Sequence, residues 1–345
     1  MTSHMLREIE TQGDAWAGAL EALAGDEALA GALRGAARET LVLGAGSSYY
    51  LGIAARGAFV RRGVAARAAP ASEILLHPEL YPLAEGGTAI AVSRSGTTTE
   101  TLRAVARLKA GGALAVGITT APDTPIRTAC DHTVAIPGAA EASTVQTRSF
   151  SAQLVATLAL AATQAGDEAA LTALRRLPTL APGWIERLEP VVAPLASLPH
   201  RIYVLGTGDL WGIAMEGALK LKETSLTEAE AFQTLEFRHG PQSMVDADTL
   251  VIGLVGEDRG GAETAVLREM VALGGRALMV CEDPGRAGRV PHAQVLAIGS
   301  GLPLEARLPL YLPPLQLIAH QRGLDKGLDP DHPRNLRFSI ELEHL

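Results

Sequence analysis

The feature that most constrains this chain is an internal repeat. "VLGAG" (Val42–Gly46) recurs as "VLGTG" (Val204–Gly208), offset by 162 residues. "LGIAARGA" (Leu51–Ala58) recurs as "WGIAMEGA" (Trp211–Ala218) at 160, which implies two extra residues in the first copy's turn. Glu100-Thr101 matches Glu263-Thr264, Gly111-Gly112 matches Gly274-Gly275, and Gln153-Leu154 with Ala156 matches Gln316-Leu317 with Ala319, all at 163. One such match can arise by chance in a chain rich in alanine and glycine. Several in the same order at a near-constant offset imply a duplicated unit.

Each copy alternates short apolar runs with helical spacing. "TLVLG", "TAIAVS", "ALAVGIT" and "HTVAI" read as strands in the first copy, "RIYVLG", "TLVIGLV", "RALMVC" and "AQVLAI" in the second. Helices are expected at 48–61, 97–109, 149–165, 211–222, 262–273 and 309–322. Continuous apolar strands alternating with helices mean parallel sheets covered on both faces, an α/β fold of two tandem flavodoxin-like three-layer units. The expected divisions are a helical segment of one or two helices at 1–37, domains at 38–166 and 200–323, a proline-bearing linker at 167–199 in which "WIERLEPVV" could be helical, and a polar tail at 324–345.

Composition excludes several functions. The net charge of −8 and pI near 5.6 argue against nucleic acid or an anionic membrane as partner, because both need a basic surface. No run approaches about 18–20 apolar residues, so no membrane span is expected. The N-terminus has early acids and no apolar core, unlike a signal peptide. Cys130 and Cys281 are far apart, which suits a reduced, cytoplasmic protein. The nine histidines are never closer than twelve residues to the next, so no local zinc motif exists and no metal or cofactor is expected.

Two constellations point to chemistry. Gly44-x-Gly46 lacks the third glycine of a dinucleotide loop, where Tyr49 stands, and no acid follows about 20 residues on to hold a ribose. The stretch "SRSGTTTET" (Ser93–Thr101) is more informative. It sits at a strand-to-helix corner, where free N–H groups, the helix dipole and many hydroxyls suit a phosphate ester. Ser47-Ser48 offers hydroxyls at the parallel corner. The plainer alternative is Thr97 or Thr98 capping its helix, supported by Glu100. In the second copy the matching residues are Gly256, Glu257, Asp258, Arg259 and Gly260, whose acids would repel phosphate. There, Glu216, Lys220 and Glu223 share one helix face, either as solvated charges or as a site. His239 precedes the Gly240-Pro241 turn and is either solvated or catalytic.

"GAGSSYY", "SRSGTTTETL", "TRSFSAQL", "EGALKLKE", "AEAFQTLEFRHGP" and "DHPRNL" stand in the order found in sugar-isomerase (SIS) domain proteins. The chain resembles the isomerase portion of glucosamine-6-phosphate synthase and stand-alone SIS-type glucosamine-6-phosphate deaminases. The resemblance implies that Ser48, Ser93, Arg94, Ser95 and Thr98 hold a sugar phosphate, and that Thr144 and Gln146 contact the sugar. It implies that Glu223 carries a proton between C1 and C2 and that Lys220 stands near the enediol oxygen. His239 would assist ring opening from the other subunit of a homodimer.

Three departures qualify what the resemblance implies. Thr2 stands where the synthase's glutaminase domain has its cysteine nucleophile, so glutamine is not expected as amine donor. Phe338, beside Arg337, stands where the synthase has a Schiff-base lysine, and the nearest upstream amine is Lys326. Arg148 replaces a lysine common in the family, which keeps the charge but changes its shape. The readings left open are an isomerase or deaminase acting on a hexose or hexosamine 6-phosphate, a fructosamine-6-phosphate deglycase, and a sensor without turnover.

Overall fold

The computed structural model describes residues 3–196 and 200–342. Their contacts divide the chain into two compact units. The described residues of Thr11–Thr179 and Arg337–Leu345 form the N-terminal unit, and those of Met1–Glu10 and Leu180–Leu336 form the C-terminal unit.

The N-terminal unit holds a parallel sheet of β1 (Glu39–Gly44), β2 (Ala65–Pro70), β3 (Thr88–Val92), β4 (Leu114–Thr119) and β5 (His132–Ala135), ordered β2-β1-β3-β4-β5. Its inner strands β1, β3 and β4 are buried on both faces, which is why they read as unbroken apolar runs. Leu41, Leu43, Ala89 and Ala91 pack with Ile74, Val105, Leu108 and Ile126 of the helices on one side. On the other face a Cβ on Gly52 would lie 3.1 Å from Val42, so the helix Ser47–Arg61 presses directly on β1. The helix Arg148–Ala165 reaches the end of β4, where Gln153 donates to the Ile118 carbonyl (3.2 Å).

The C-terminal unit repeats this plan with β6 (Arg201–Gly206), β7 (Glu228–Gln233), β8 (Thr249–Leu254), β9 (Arg276–Cys281) and β10 (Gln294–Ala297), ordered β10-β9-β8-β6-β7. Leu41 pairs with Ala89 as Tyr203 pairs with Val251, so both strand pairs keep the 162-residue offset. One face is filled by Tyr203, Leu205, Val251, Met279 and Cys281 against Phe237, Val266, Leu267 and Met270.

The structure corrects the sequence reading in four places. Each sheet has a fifth strand, β2 or β7, because "AARAAP" and "EAEAFQ" pair beside β1 and β6 at sheet edges and so are not uniformly apolar. The glycine turns have equal length: Gly46 and Gly208 both precede their helix directly, with φ of 56° and 55°. The two-residue shift therefore lies within the helices rather than in the turn. The N-terminal stretch forms three helices, at His4–Glu10, Gln12–Glu21 and Glu27–Gly35. Residues expected to link the halves form helices Glu168–Leu174, Leu177–Glu186 and Glu189–Ala196, with Pro182 and Pro194 inside the last two. Among the described residues no helix is long and apolar enough to cross a membrane.

Candidate active site

In both sheets the strand order reverses at the first strand, between β1 and β3 and between β6 and β8. Ligands of open α/β sheets sit outside the carboxyl ends of the strands at such a point. In the N-terminal unit, Ser48 lies just inside the helix that follows β1, and Ser93–Thr98 follow β3. Gly44 is needed there, since a Cβ on it would stand 2.5 Å from that of Ser48 and 2.9 Å from the Val92 carbonyl oxygen. Gly96 is needed too: its φ is 68°, and a Cβ would run into Thr124.

The hydroxyls do not cap the helix. Thr98 is the N-cap of Thr99–Ala110 but makes no side-chain cap bond; its hydroxyl lies 3.2 Å from that of Ser93. Ser93 Oγ also accepts the Gly96 N–H (3.1 Å), and the Thr97 hydroxyl donates to Ser95 (3.1 Å). Ser48, Ser93 and Arg94 are buried. Arg94 points Nη1 at the Glu141 carboxylate (3.3 Å), while its Nε is buried with no hydrogen-bond partner among the described residues.

The tail meets this loop. The Phe338 carbonyl accepts from Arg94 Nη2 (2.9 Å), and the Phe338 ring lies 3.8 Å from the guanidinium carbon. Ser339 Oγ is 3.1 Å from Ser95 Oγ and 2.9 Å from Thr97 Oγ1, and Thr99 Oγ1 accepts the Leu342 N–H. The Phe338 side chain thus stacks on an arginine. This contact joins residues about 240 apart, and no local pattern announced it.

Thr144 and Gln146 lie in the loop before the helix Arg148–Ala165. Gln146 Oε1 is buried without a hydrogen-bond partner among the described residues, an acceptor open to a hydroxyl donor. Arg148 is committed locally, donating to Thr11 Oγ1 (2.9 Å) and the Ala140 carbonyl (3.1 Å).

At the matching crevice of the C-terminal unit a side-chain carboxylate fills the space. Glu263 accepts N–H bonds from Gly256 and Asp258 (both 3.1 Å) and the Thr207 hydroxyl. Asp258 in turn accepts from the Glu263 and Thr264 N–H groups and from Arg289. Burial pushes the Glu263 carboxyl above its ordinary range, against the pull of Thr207 and Gly256. The N–H groups of Gly256, Asp258, Glu263 and Thr264 are therefore already used.

The helix Asp209–Ser225 brings Glu216, Lys220 and Glu223 together. Lys220 Nζ lies 3.3 Å from Glu216 Oε1 and contacts Glu223 Oε2. Glu216 and Lys220 are 0% and 1% exposed, so this is no solvated pair. Burial works to lower the Lys220 pKa, but the two carboxylates outweigh it and hold the ammonium above the usual lysine range. Burying such charges does not favour stability, since apolar replacements are often neutral or better. Glu223 is the one member with access to solvent, at 18% side-chain exposure.

His239 stands apart. It is exposed, and among the described residues no side-chain hydrogen bond or ion pair joins it to Lys220 or Glu223. Its turn is nevertheless fixed. Tyr203, Phe232 and Phe237 form a tilted aromatic trio, with Tyr203 and Phe237 4.9 Å apart, and Arg238 makes a two-pronged bond to Glu269 (2.7 Å each). Lys326 is occupied, donating to the Ser225 carbonyl (2.8 Å) and Thr227 Oγ1 (3.0 Å).

Comparison with known proteins agrees with this architecture. The SIS domain profile matches residues 35–163 and 197–287. The isomerizing glutamine–fructose-6-phosphate aminotransferase of Pyrobaculum aerophilum is 31% identical over 353 residues, covering 98% of this chain and 57% of the relative. That of Legionella pneumophila (strain Lens) is 33% identical over 312 residues, covering 88% and 51%. The chain thus spans about half the length of the curated relatives it matches. Among solved structures, glucosamine-6-phosphate deaminase from Thermotoga maritima is 28% identical with a TM-score of 0.81, over 99% of this chain and 100% of that one. The C-terminal domain of glucosamine-fructose-6-phosphate aminotransferase from Francisella tularensis shares the fold at a TM-score of 0.86 and 24% identity, over 96% and 99%. With the profile covering more than half of the chain and two sheets of one topology beneath it, this protein belongs to the SIS domain family.

Proposed function

We propose that this protein is an amino-sugar-phosphate deaminase, converting glucosamine 6-phosphate and water to fructose 6-phosphate and ammonia. The observation that carries the reading is the Glu216–Lys220–Glu223 cluster, a buried cation holding a solvent-reachable carboxylate within a phosphosugar isomerase family. Glu223 takes the proton from C2 of the open-chain sugar and returns it to C1, so the C1–C2 enolamine becomes a C2 imine. Water adds at C2 and ammonia leaves. Lys220 stays charged and offsets the negative charge that develops on O1. Ser48, Ser93, Arg94, Ser95 and Thr98 hold the phosphate, and Thr144 and Gln146 face the sugar. His239 assists ring opening in a homodimer.

Phe338 and the engaged Lys326 favour a route without a tail Schiff base. Incubating the purified protein with glucosamine 6-phosphate should yield equimolar ammonia and fructose 6-phosphate. A rate no higher than that of Glu223→Gln would overturn the reading. Release of a free amino acid from a fructosamine 6-phosphate, without ammonia from glucosamine 6-phosphate, would identify a deglycase instead.

A further inference from the structure

We infer that Glu141 is a positioning residue that aims Arg94 at the substrate phosphate and fixes the Gln146 loop against the sugar. The inference rests on the phosphosugar reading of the same site.

The Glu141 side chain is completely buried. Its Oε1 accepts the Thr147 N–H (2.6 Å), the Thr147 hydroxyl (2.9 Å) and the Ser149 N–H (3.0 Å). Its Oε2 accepts the Ser149 hydroxyl and Arg94 Nη1 (3.3 Å). Four of these donors belong to the start of one helix, and the fifth comes from the loop after β3. One carboxylate thereby ties together the two segments that hold the candidate phosphate and sugar residues. Helix capping alone does not account for the arginine, which lies 47 residues away and could have been turned to solvent.

Two unsatisfied buried atoms indicate what the tie presents. Arg94 Nε is a donor and Gln146 Oε1 an acceptor, and neither has a hydrogen-bond partner among the described residues. Buried polar groups without partners are costly, so a site that keeps one of each expects a ligand carrying both an anionic oxygen and a hydroxyl. A phosphorylated polyol has both. An arginine pinned at Nη1 by a carboxylate keeps its remaining N–H groups in a fixed plane, so less freedom is lost when the anion arrives.

The test uses calorimetric titration of the full chain with glucose 6-phosphate and with inorganic phosphate, alongside thermal unfolding without ligand. Arg94→Gln should weaken both probes by a similar factor. Glu141→Gln should weaken inorganic phosphate about fivefold to tenfold and glucose 6-phosphate by more, because the Gln146 loop is released as well. In the Arg94→Gln background, Glu141→Gln should cost no further phosphate affinity while still lowering the unfolding temperature through the helix start.

The inference is overturned if Glu141→Gln lowers the unfolding temperature but leaves both affinities within twofold. It is also overturned if its effect on phosphate is the same with and without Arg94. Should Glu141→Gln not fold, Arg94→Lys decides: lysine keeps the charge but loses the fixed fork, so a loss matching Arg94→Gln is expected, and wild-type affinity overturns the inference. If the wild-type protein binds inorganic phosphate but not glucose 6-phosphate, the sugar half of this inference falls. If it binds neither, the proposed function falls with the whole of it.

Discussion

Lys220→Met removes one charge from a cluster that has almost no water around it. Methionine keeps most of the unbranched stem, so the packing volume changes little. What remains is the Glu216 carboxylate, fully buried and without the cation 3.3 Å away. Breaking one side of a buried pair costs about 3–5 kcal/mol. The variant has an escape, because Glu216 can take up a proton. From an ordinary glutamate pKa near 4.3, that costs about 3.7 kcal/mol at pH 7 and about 1.6 kcal/mol at pH 5.5. The protonation route therefore caps the loss per carboxylate, and the cap falls as the pH falls. Urea unfolding followed by circular dichroism should show Lys220→Met destabilised by about 3–4 kcal/mol at pH 7 and by about 2 kcal/mol less at pH 5.5. Adding Glu216→Gln should recover most of the loss at pH 7 and remove the pH dependence. A deficit equal at both pH values, or a double variant no more stable than Lys220→Met, would refute the buried-charge account.

Other consequences concern titratable groups outside the site. Burial pushes the Cys130 thiol up to about 12 and the Cys281 thiol up to about 11. At pH 8 both should react with a disulfide reagent at least roughly a hundredfold more slowly in the folded protein than in urea, since the thiolate is the reactive form. Rapid labelling of the native protein would contradict this. Burial also holds the His320 imidazole below the ordinary histidine range, against the pull of Asp331, while its Nε2 lies 2.7 Å from Ser3 Oγ. The unfolded chain then takes up a proton that the folded one refuses. Stability should therefore rise with pH across that window and be lost as pH falls below the ordinary histidine range, with a slope of up to about 1.4 kcal/mol per pH unit. His320→Gln should flatten that slope, and an unchanged slope would assign the dependence to another group.

Much of the fold was legible because its core strands are buried on both faces, which leaves a continuous apolar run as signature. The edge strands β2 and β7 were not, because one side of each has no neighbouring strand and their residues need not be apolar. The helices Leu177–Glu186 and Glu189–Ala196 were legible only around "WIERLEPVV", because Pro182 and Pro194 argue against helix locally. In the candidate site, the serines and threonines of the 93–98 loop stood out by density at a strand-to-helix corner. Glu141 did not, because it stands among small residues and its meaning depends on Arg94, 47 positions earlier. Glu263 is not among the acids of Gly256–Gly260 from which the sequence expects repulsion of phosphate, for a related reason. Its neighbourhood does exclude an outside anion, but chiefly because its own carboxylate occupies the donors. Pairings set by tertiary structure leave little local trace, and they account for most of what the sequence did not reveal.

The central claim is that Glu223 moves a proton between adjacent carbons of a hexose 6-phosphate. Proton NMR of fructose 6-phosphate incubated with the protein in deuterium oxide tests it without regard to the fate of nitrogen. The wild-type protein should wash deuterium into C1 stereospecifically, and Glu223→Gln should slow that exchange at least about a hundredfold. No exchange by the wild-type protein, or equal exchange by the variant, would contradict it.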